Sequence, residues 1–340
     1  MNQVKIIAEI GVNHNGDIDL AYKMIDAAAD CGADFIKFQT YITESLVSNN
    51  APKAKYQIKN TKFGETQFEM LKKLEFGINE HYRLIDYCKA KGVVFLSSAF
   101  DLTSLAFLNK IQLPLFKIPS GEITNYPYLR EVAALGKPII LSTGIATLNE
   151  VEESIQVLID NGLEKNMITV LHCNSEYPTQ HKDVNLLAMK TLSETLQVAV
   201  GYSDHTLGSE VAIASVALGA VVIEKHFTLD QNLPGPDHKA SMEPKDFKKM
   251  VQAIRNIESA ISGSGEKIPS KSELKNINII RKSIFLSQDL LKGTVLKEHH
   301  LVPLRPGTGI SPMKWNDIIG KSINKSLNKG HQLAWEDLIK

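Results

Sequence analysis

The sequence predicts a (β/α)8 barrel (TIM barrel, α/β class) followed by a small C-terminal domain. Three observations carry this reading. Eight short β-branched or apolar runs alternate with longer amphipathic stretches, the pattern of βα units around a parallel sheet. Several of the amphipathic stretches stop at a glycine (Gly32, Gly92, Gly162, Gly219), as helices commonly do. The eight units fill about 260 residues, the usual size of a closed barrel. A doubly wound open sheet is the competing fold, but it generally has fewer strands.

In order, the strand-like runs lie at 4–10, 35–39, 93–97, 115–118, 138–142, 168–172, 197–201 and 221–226, with helical stretches at 20–31, 80–91, 148–161 and 210–218 among others. Parallel barrels carry their reactive residues at the C-terminal strand ends. The first run ends in Glu9, followed by Asn13-His14-Asn15-Gly16, and the second brings Lys37 and Gln39. The third ends in Ser97 and Ser98, the fourth brings Lys117, Ser120 and Glu122, and the fifth Ser142. The sixth ends in His172 and leads to Asn174, Ser175, Glu176 and Tyr177. The seventh gives Ser203 and His205, and the eighth Glu224 and His226, with Pro236-Asp237-His238 beyond it.

Residues 262–278 have the Gly/Ser/Lys-rich composition of a linker. The expected organisation is a barrel over 1–262, a linker over 263–280 and a small domain over 281–340, whose Gly and Pro breaks suggest short strands and turns. A segment of that size is close to the lower limit for independent folding, so it is expected to dock against the barrel or another chain.

Composition narrows the function. Lys+Arg 38 balances Asp+Glu 38, which leaves no general pull toward nucleic acid or an anionic membrane. Hydrophobic residues at 43% and charged residues at 22% are those of a globular protein, and no run reaches the roughly 18 apolar residues of a membrane helix. The N-terminal run 1–9 is too short, and too soon broken by Glu9, for a signal peptide, so a cytoplasmic protein is expected. Cys31, Cys88 and Cys173 have no paired spacing that would suggest disulfides or a Cys-rich zinc site.

Taken singly, each polar residue at a strand end has an ordinary structural role: a lysine snorkels, a serine caps a helix, a histidine hydrogen-bonds in the core. Two lysines, two glutamates and two histidines converging on one rim are another matter, because burying them together without partners or a ligand is costly. Lys37 and Lys117 suit a phosphate or carboxylate, with Ser120, Ser142 and Ser203 adding donors. His205 and His226, from adjacent strands, could meet at one exchangeable divalent metal that polarises a carbonyl. Glu9 and Glu122 are acid/base candidates. Strand alternation puts Glu224 on the side of His226 and Lys225 on the other, which leaves the role of Glu224 open.

The segments Glu9-Ile10-Gly11-Val12-Asn13-His14-Asn15-Gly16, Lys37-Phe38-Gln39-Thr40 and Lys117-Ile118-Pro119-Ser120-Gly121-Glu122 together resemble the signatures of the sialic acid synthases. So do Tyr202-Ser203-Asp204-His205-Thr206, Glu224-Lys225-His226-Phe227-Thr228, Gly235-Pro236-Asp237-His238 and Arg305-Pro306-Gly307-Thr308-Gly309-Ile310. The resemblance implies a barrel followed by an antifreeze-like (SAF) domain, and condensation of phosphoenolpyruvate with N-acetylmannosamine to give N-acetylneuraminate and phosphate. It implies Glu9 as acid/base with Glu122 orienting the reacting groups. Lys37, Ser98, Lys117, Ser120, Ser142 and Ser203 would hold phosphoenolpyruvate, and Gln39, Tyr177 and Asp237 the open-chain sugar. His205 and His226 would bind a divalent metal, Mn²⁺ in preference to Mg²⁺ or Co²⁺. Arg305 would reach the N-acetyl group from the partner subunit of a homodimer with exchanged C-terminal domains. Some members carry Asn where Ser175 stands and an apolar residue where Glu176 stands, so the sugar pocket is expected to differ here. The same pattern occurs in synthases that make N,N'-diacetyllegionaminate from 2,4-diacetamido-2,4,6-trideoxy-mannose, the alternative substrate. More distant rivals are a metal-dependent aldolase or hydrolase on the same barrel, and a non-enzymatic carbohydrate- or ice-binding module centred on 281–340.

Overall fold

The computed structural model describes residues 3–61 and 64–339; Met1 and Asn2 of the N-terminal run, Lys62, Phe63 and Lys340 lie outside the described residues. The chain forms two compact units, Met1–Ser262 and Gly263–Lys340. In the first, eight parallel strands close into a barrel in sequence order: β1 (Lys5–Gly11), β2 (Phe35–Thr40), β3 (Val94–Ala99), β4 (Phe116–Ile118), β5 (Ile139–Ser142), β6 (Ile168–Cys173), β7 (Ala199–Asp204) and β8 (Val222–His226). Each predicted run falls on one of these strands, and β1 and β8 pair to complete the circle.

Strands buried on both faces read as continuous apolar runs, and here Ile6, Ile7, Ala8, Ile36, Phe38, Leu96, Ile118, Leu141 and Leu171 all join one core. The helices outside are set by local signals. Asp17 accepts from the backbone N–H groups of Asp19 and Leu20 at the start of Ile18–Asp30, and Thr147 and Glu150 form a reciprocal cap on Leu148–Asp160. The outward-facing Lys225 is fully buried, and its ammonium meets Asp204 Oδ2 at 2.7 Å and Thr206 O at 2.6 Å. Alternation along β8 therefore sends this cation to a partner on β7 and away from the barrel axis.

The connection from β2 to β3 is the main irregularity. Where other units use one helix, this one inserts the helices Thr43–Leu46, Lys55–Asn60 and Gln67–Leu74 before its barrel helix Ile78–Ala90. The excursion has its own apolar cluster of Val12, Tyr41, Met70, Leu71 and Leu74, and Tyr41 Oη donates to Leu71 O at 3.1 Å.

In the second unit, residues 263–275 are exposed, as linker composition suggests, but Lys271–Leu274 and Ile277–Ile280 are short helices that the sequence reading did not anticipate. Ser270 and Glu273 cap the first of them reciprocally. Beyond lie an antiparallel pair, β9 (Ser283–Leu286) and β10 (Leu301–Leu304), and a compact core containing Ile284, Leu286, Leu296, Ile310, Ile318, Ile323 and Leu333. No helix among the described residues is long and apolar enough to cross a membrane.

Candidate active site

The barrel register builds the site. Glu9 pairs with Lys37 on one side and with His226 on the other, Gln39 with Ser98, Ser98 with Lys117, and Ser203 with Glu224. Residues two apart on a strand share a face, so Lys37 and Gln39 on β2, and Glu224 and His226 on β8, all face the same interior. They open into a cavity of about 290 Å³, and every predicted site residue of the barrel except Glu122 lines it.

At its floor lie four buried charges. The Lys37 ammonium is 2.7 Å from Glu9 Oε2 and 3.8 Å from Glu224 Oε2, and donates to Ser98 Oγ at 3.3 Å. Lys117 donates to Ser142 Oγ at 2.7 Å and lies 3.7 Å from Glu224 Oε1, which accepts from Ser203 Oγ at 3.1 Å. Gln39 Nε2 donates to Glu9 Oε1 at 3.1 Å. The environments pull the four groups apart. Burial opposes the Lys37 charge, but Glu224 and Glu9 outweigh it and hold the ammonium above the ordinary lysine range. Burial prevails at Lys117, which is pushed down, and at Glu9, which is pushed up with Glu224 adding to the effect. Burial also opposes ionised Glu224, yet Lys117 and Lys37 hold its carboxyl below the usual range.

Ser120 sits on the loop after β4, where its Oγ accepts from Gly144 N at 2.9 Å and lies 3.4 Å from Cys173 Sγ. A Cβ at position 144 would stand 2.2 Å from Ser175 Oγ and 2.9 Å from Ser120 Oγ, so any larger residue there would have to turn both hydroxyls aside.

The histidines form a second group. The rings of His205 and His226 are 5.3 Å apart between centroids, and Tyr177 lies 4.2 Å from His205. His205 Nδ1 is 2.5 Å from Asn174 O; a carbonyl only accepts, so Nδ1 carries the hydrogen and Nε2 keeps its lone pair. His226 Nδ1 is buried with no hydrogen-bond partner. Burial depresses the basicity of both rings, His226 strongly, which keeps the imidazoles neutral. Two neutral imidazoles, one with its lone pair freed by its neighbour and one with an orphaned nitrogen, fit a divalent cation. Among the described residues no group of three or more His, Cys, Asp or Glu converges, so a cation on these two histidines would keep open positions. Asp237, also buried, has an unpartnered Oδ1, and burial with the nearby Glu9 pushes its carboxyl up to about 7.

Two predicted residues stand apart. Glu122 is held by Asn125 Nδ2 at 2.5 Å and is not part of the cavity wall, although its neighbours Ser120 and Gly121 are. Arg305 belongs to the second unit, where its Nε donates to Ile280 O at 2.9 Å. Conversely, the cavity brings in Tyr56, Gln57 and Cys173, which the sequence reading did not place in it, and Glu224, which the reading put on the side of His226 without a role. Alternation with His226 gave the face of Glu224; Tyr56, Gln57 and Cys173 carry no such signal.

The profile of the NeuB family matches residues 24–267, and that of the SAF domain matches residues 281–339. The chain is 51% identical over 326 residues to an N,N'-diacetyllegionaminic acid synthase of Campylobacter jejuni, covering 96% of this chain and 97% of that protein. It is 47% identical to the N,N'-diacetyllegionaminic acid synthase of Legionella pneumophila, covering 98% and 94%. Among solved structures, the N-acetylneuraminic acid (sialic acid) synthetase of Leptospira borgpetersenii superposes with a TM-score of 0.71 at 36% identity, covering 81% of this chain and 90% of that one.

Proposed function

The chain belongs to the NeuB family, and from that membership we propose that it condenses phosphoenolpyruvate and water with 2,4-diacetamido-2,4,6-trideoxy-mannose, giving N,N'-diacetyllegionaminate and phosphate. The initial preference for N-acetylmannosamine is reversed. The two legionaminic acid synthases are 51% and 47% identical to this chain, and the sialic acid synthetase 36%. The chemistry rests on one observation above all, two buried ammonium groups ringed by hydroxyls, which suits a ligand bearing both carboxylate and phosphate.

In this reading Lys37, Ser98, Lys117, Ser120, Ser142 and Ser203 bind phosphoenolpyruvate, while Gln39, Tyr177 and Asp237 orient the open-chain sugar. The C2–C3 π electrons of the enol form the new bond to the sugar aldehyde carbon, and the aldehyde oxygen takes a proton. Water adds at C2, and loss of phosphate leaves the 2-keto acid. Glu9, beside Lys37 and with a carboxyl that burial favours in its neutral form, transfers the proton between water and the reacting centre. Glu122, in the Ser120–Glu122 turn and held by Asn125, orients the reacting groups through that turn. His205 and His226 would hold a divalent metal, Mn²⁺ by preference, which when bound supplies Lewis-acid polarisation of the aldehyde.

Phosphate release measured with each sugar in turn tests the reading. The kcat/KM for the diacetamido sugar is expected to exceed that for N-acetylmannosamine by about tenfold or more; the reverse order restores the neuraminate reading. Chelation should abolish turnover, with Mn²⁺ restoring it most fully; full activity in metal-free buffer would overturn the role given to the histidines.

We further propose a cytoplasmic homodimer organised as a barrel over 1–262, a linker over 263–280 and an exchanged domain over 281–340, with Arg305 serving the partner's site. Glu9→Gln and Arg305→Ala chains should each be nearly inactive alone. Unfolded together and refolded as an equimolar mixture, they should recover roughly a quarter of wild-type activity, since half the dimers are mixed and each mixed dimer has one intact site. A mixture that stays inactive, although mass measurement finds mixed dimers, refutes the exchange.

A further inference from the structure

Apart from Asp237, the charged groups of the cavity come from strand ends, whereas the excursion between β2 and β3 contributes Leu46, Val47, Tyr56, Gln57, Gln67, Met70 and Leu71. This segment offers apolar surface, one aromatic face and two carboxamides, of which Gln57 is buried beside the aromatic face. The diacetamido sugar differs from N-acetylmannosamine in replacing the C4 hydroxyl by a planar acetamido group and the C6 hydroxyl by hydrogen. Each change removes a hydroxyl that needs polar partners. Together they call for apolar contact, a flat surface and a donor for an amide carbonyl.

The details fit those requirements. The Tyr56 ring lies 5.0 Å from that of Tyr177, whose other ring neighbours are His205 at 4.2 Å and His226 at 5.5 Å, so an aromatic row runs from the excursion to the histidine pair. Gln57 is buried, and its Oε1 accepts from Ala54 N at 2.9 Å, capping the helix Lys55–Asn60. With the oxygen engaged there, the donor that Gln57 can offer a ligand is Nε2; it has two hydrogens, of which at most one serves the neighbouring Tyr56 hydroxyl. The helix is tied to the barrel's far loop, since Asn60 Nδ2 donates to Pro236 O at 2.8 Å beside Asp237. Met70 and Leu71 belong to the excursion's own apolar cluster, so this wall is packed before any sugar arrives.

We infer that the β2–β3 excursion selects the sugar, with Tyr56 packing against the second acetamido group and Gln57 Nε2 donating to its carbonyl. The inference rests on the diacetamido reading above and adds the residues that enforce it.

Gln57→Glu keeps an oxygen for Ala54 N and removes both donors; Tyr56→Ala removes the ring and Tyr56→Phe retains it. Steady-state kinetics with both sugars should show the ratio of kcat/KM, diacetamido sugar over N-acetylmannosamine, falling about tenfold or more in Gln57→Glu and in Tyr56→Ala. The loss should lie in KM for the diacetamido sugar, and Tyr56→Phe should recover selectivity relative to Tyr56→Ala. A ratio equal to wild type in both Gln57→Glu and Tyr56→Ala overturns the inference, since a general folding defect would depress both sugars alike. The wild-type ratio is a separate result: a preference for N-acetylmannosamine there counts against the proposed substrate, whatever the variants do.

Discussion

Replacing Glu9 by Gln is expected to lower kcat by about 100-fold or more while changing KM for either substrate little. The amide is nearly isosteric, and Gln39 Nε2 can still donate to its oxygen, so the shape of the site survives. Lys37 loses its 2.7 Å partner but keeps Ser98 at 3.3 Å and Glu224 at 3.8 Å, so the ammonium remains charged and in place. What disappears is a carboxyl able to take and return a proton, and that loss should be felt in the transition state rather than in binding. Steady-state rates with each substrate varied separately will tell. A large rise in KM with kcat intact would make Glu9 a binding residue.

Lys117→Met should instead raise KM for phosphoenolpyruvate by about 10- to 100-fold, the size expected for losing one charge-assisted contact of roughly 1.5–3 kcal/mol. Methionine fills much of the lysine's volume, which matters at a side chain only 3% exposed. Glu224 retains Lys37 at 3.8 Å and the Ser203 hydroxyl at 3.1 Å, so the variant does not strand an unpaired carboxylate. The KM for the sugar should move little. If it rises in step with that for phosphoenolpyruvate, or rises alone, Lys117 does not bind the phosphate-bearing substrate.

The barrel was legible because each strand carries a short apolar run, and because one period-two rule puts Glu9, Lys37, Gln39, Glu224 and His226 in the same interior. No strand end differs from its expected position by more than three residues. That rule gave the face of Glu224 but not its place between two lysines, which depends on β2, β4 and β8 meeting across the barrel. Tyr56 and Gln57 were invisible for another reason. They sit on a six-residue helix too short to show a periodicity, inside a connection whose path depends on distant partners such as Pro236. The orientation of Glu122 was not legible either: the tight turn at Ser120–Glu122 presents its carboxylate to Asn125, which its closeness in sequence to Ser120 does not reveal.

The four charges on the cavity floor cancel, two ammonium groups against two carboxylates, so phosphoenolpyruvate enters a site with no spare positive charge. Every anionic oxygen that docks on a lysine competes with a glutamate already there. Glu9, whose burial favours the uncharged acid, is the group placed to yield by taking a proton from solvent. Capture of the substrate then titrates the medium. The heat of binding should vary with the ionisation enthalpy of the buffer, and affinity should weaken as the solution becomes more alkaline; a binding heat identical in PIPES and Tris, buffers that lack the phosphate this site holds, would show that the cluster holds its protons fixed.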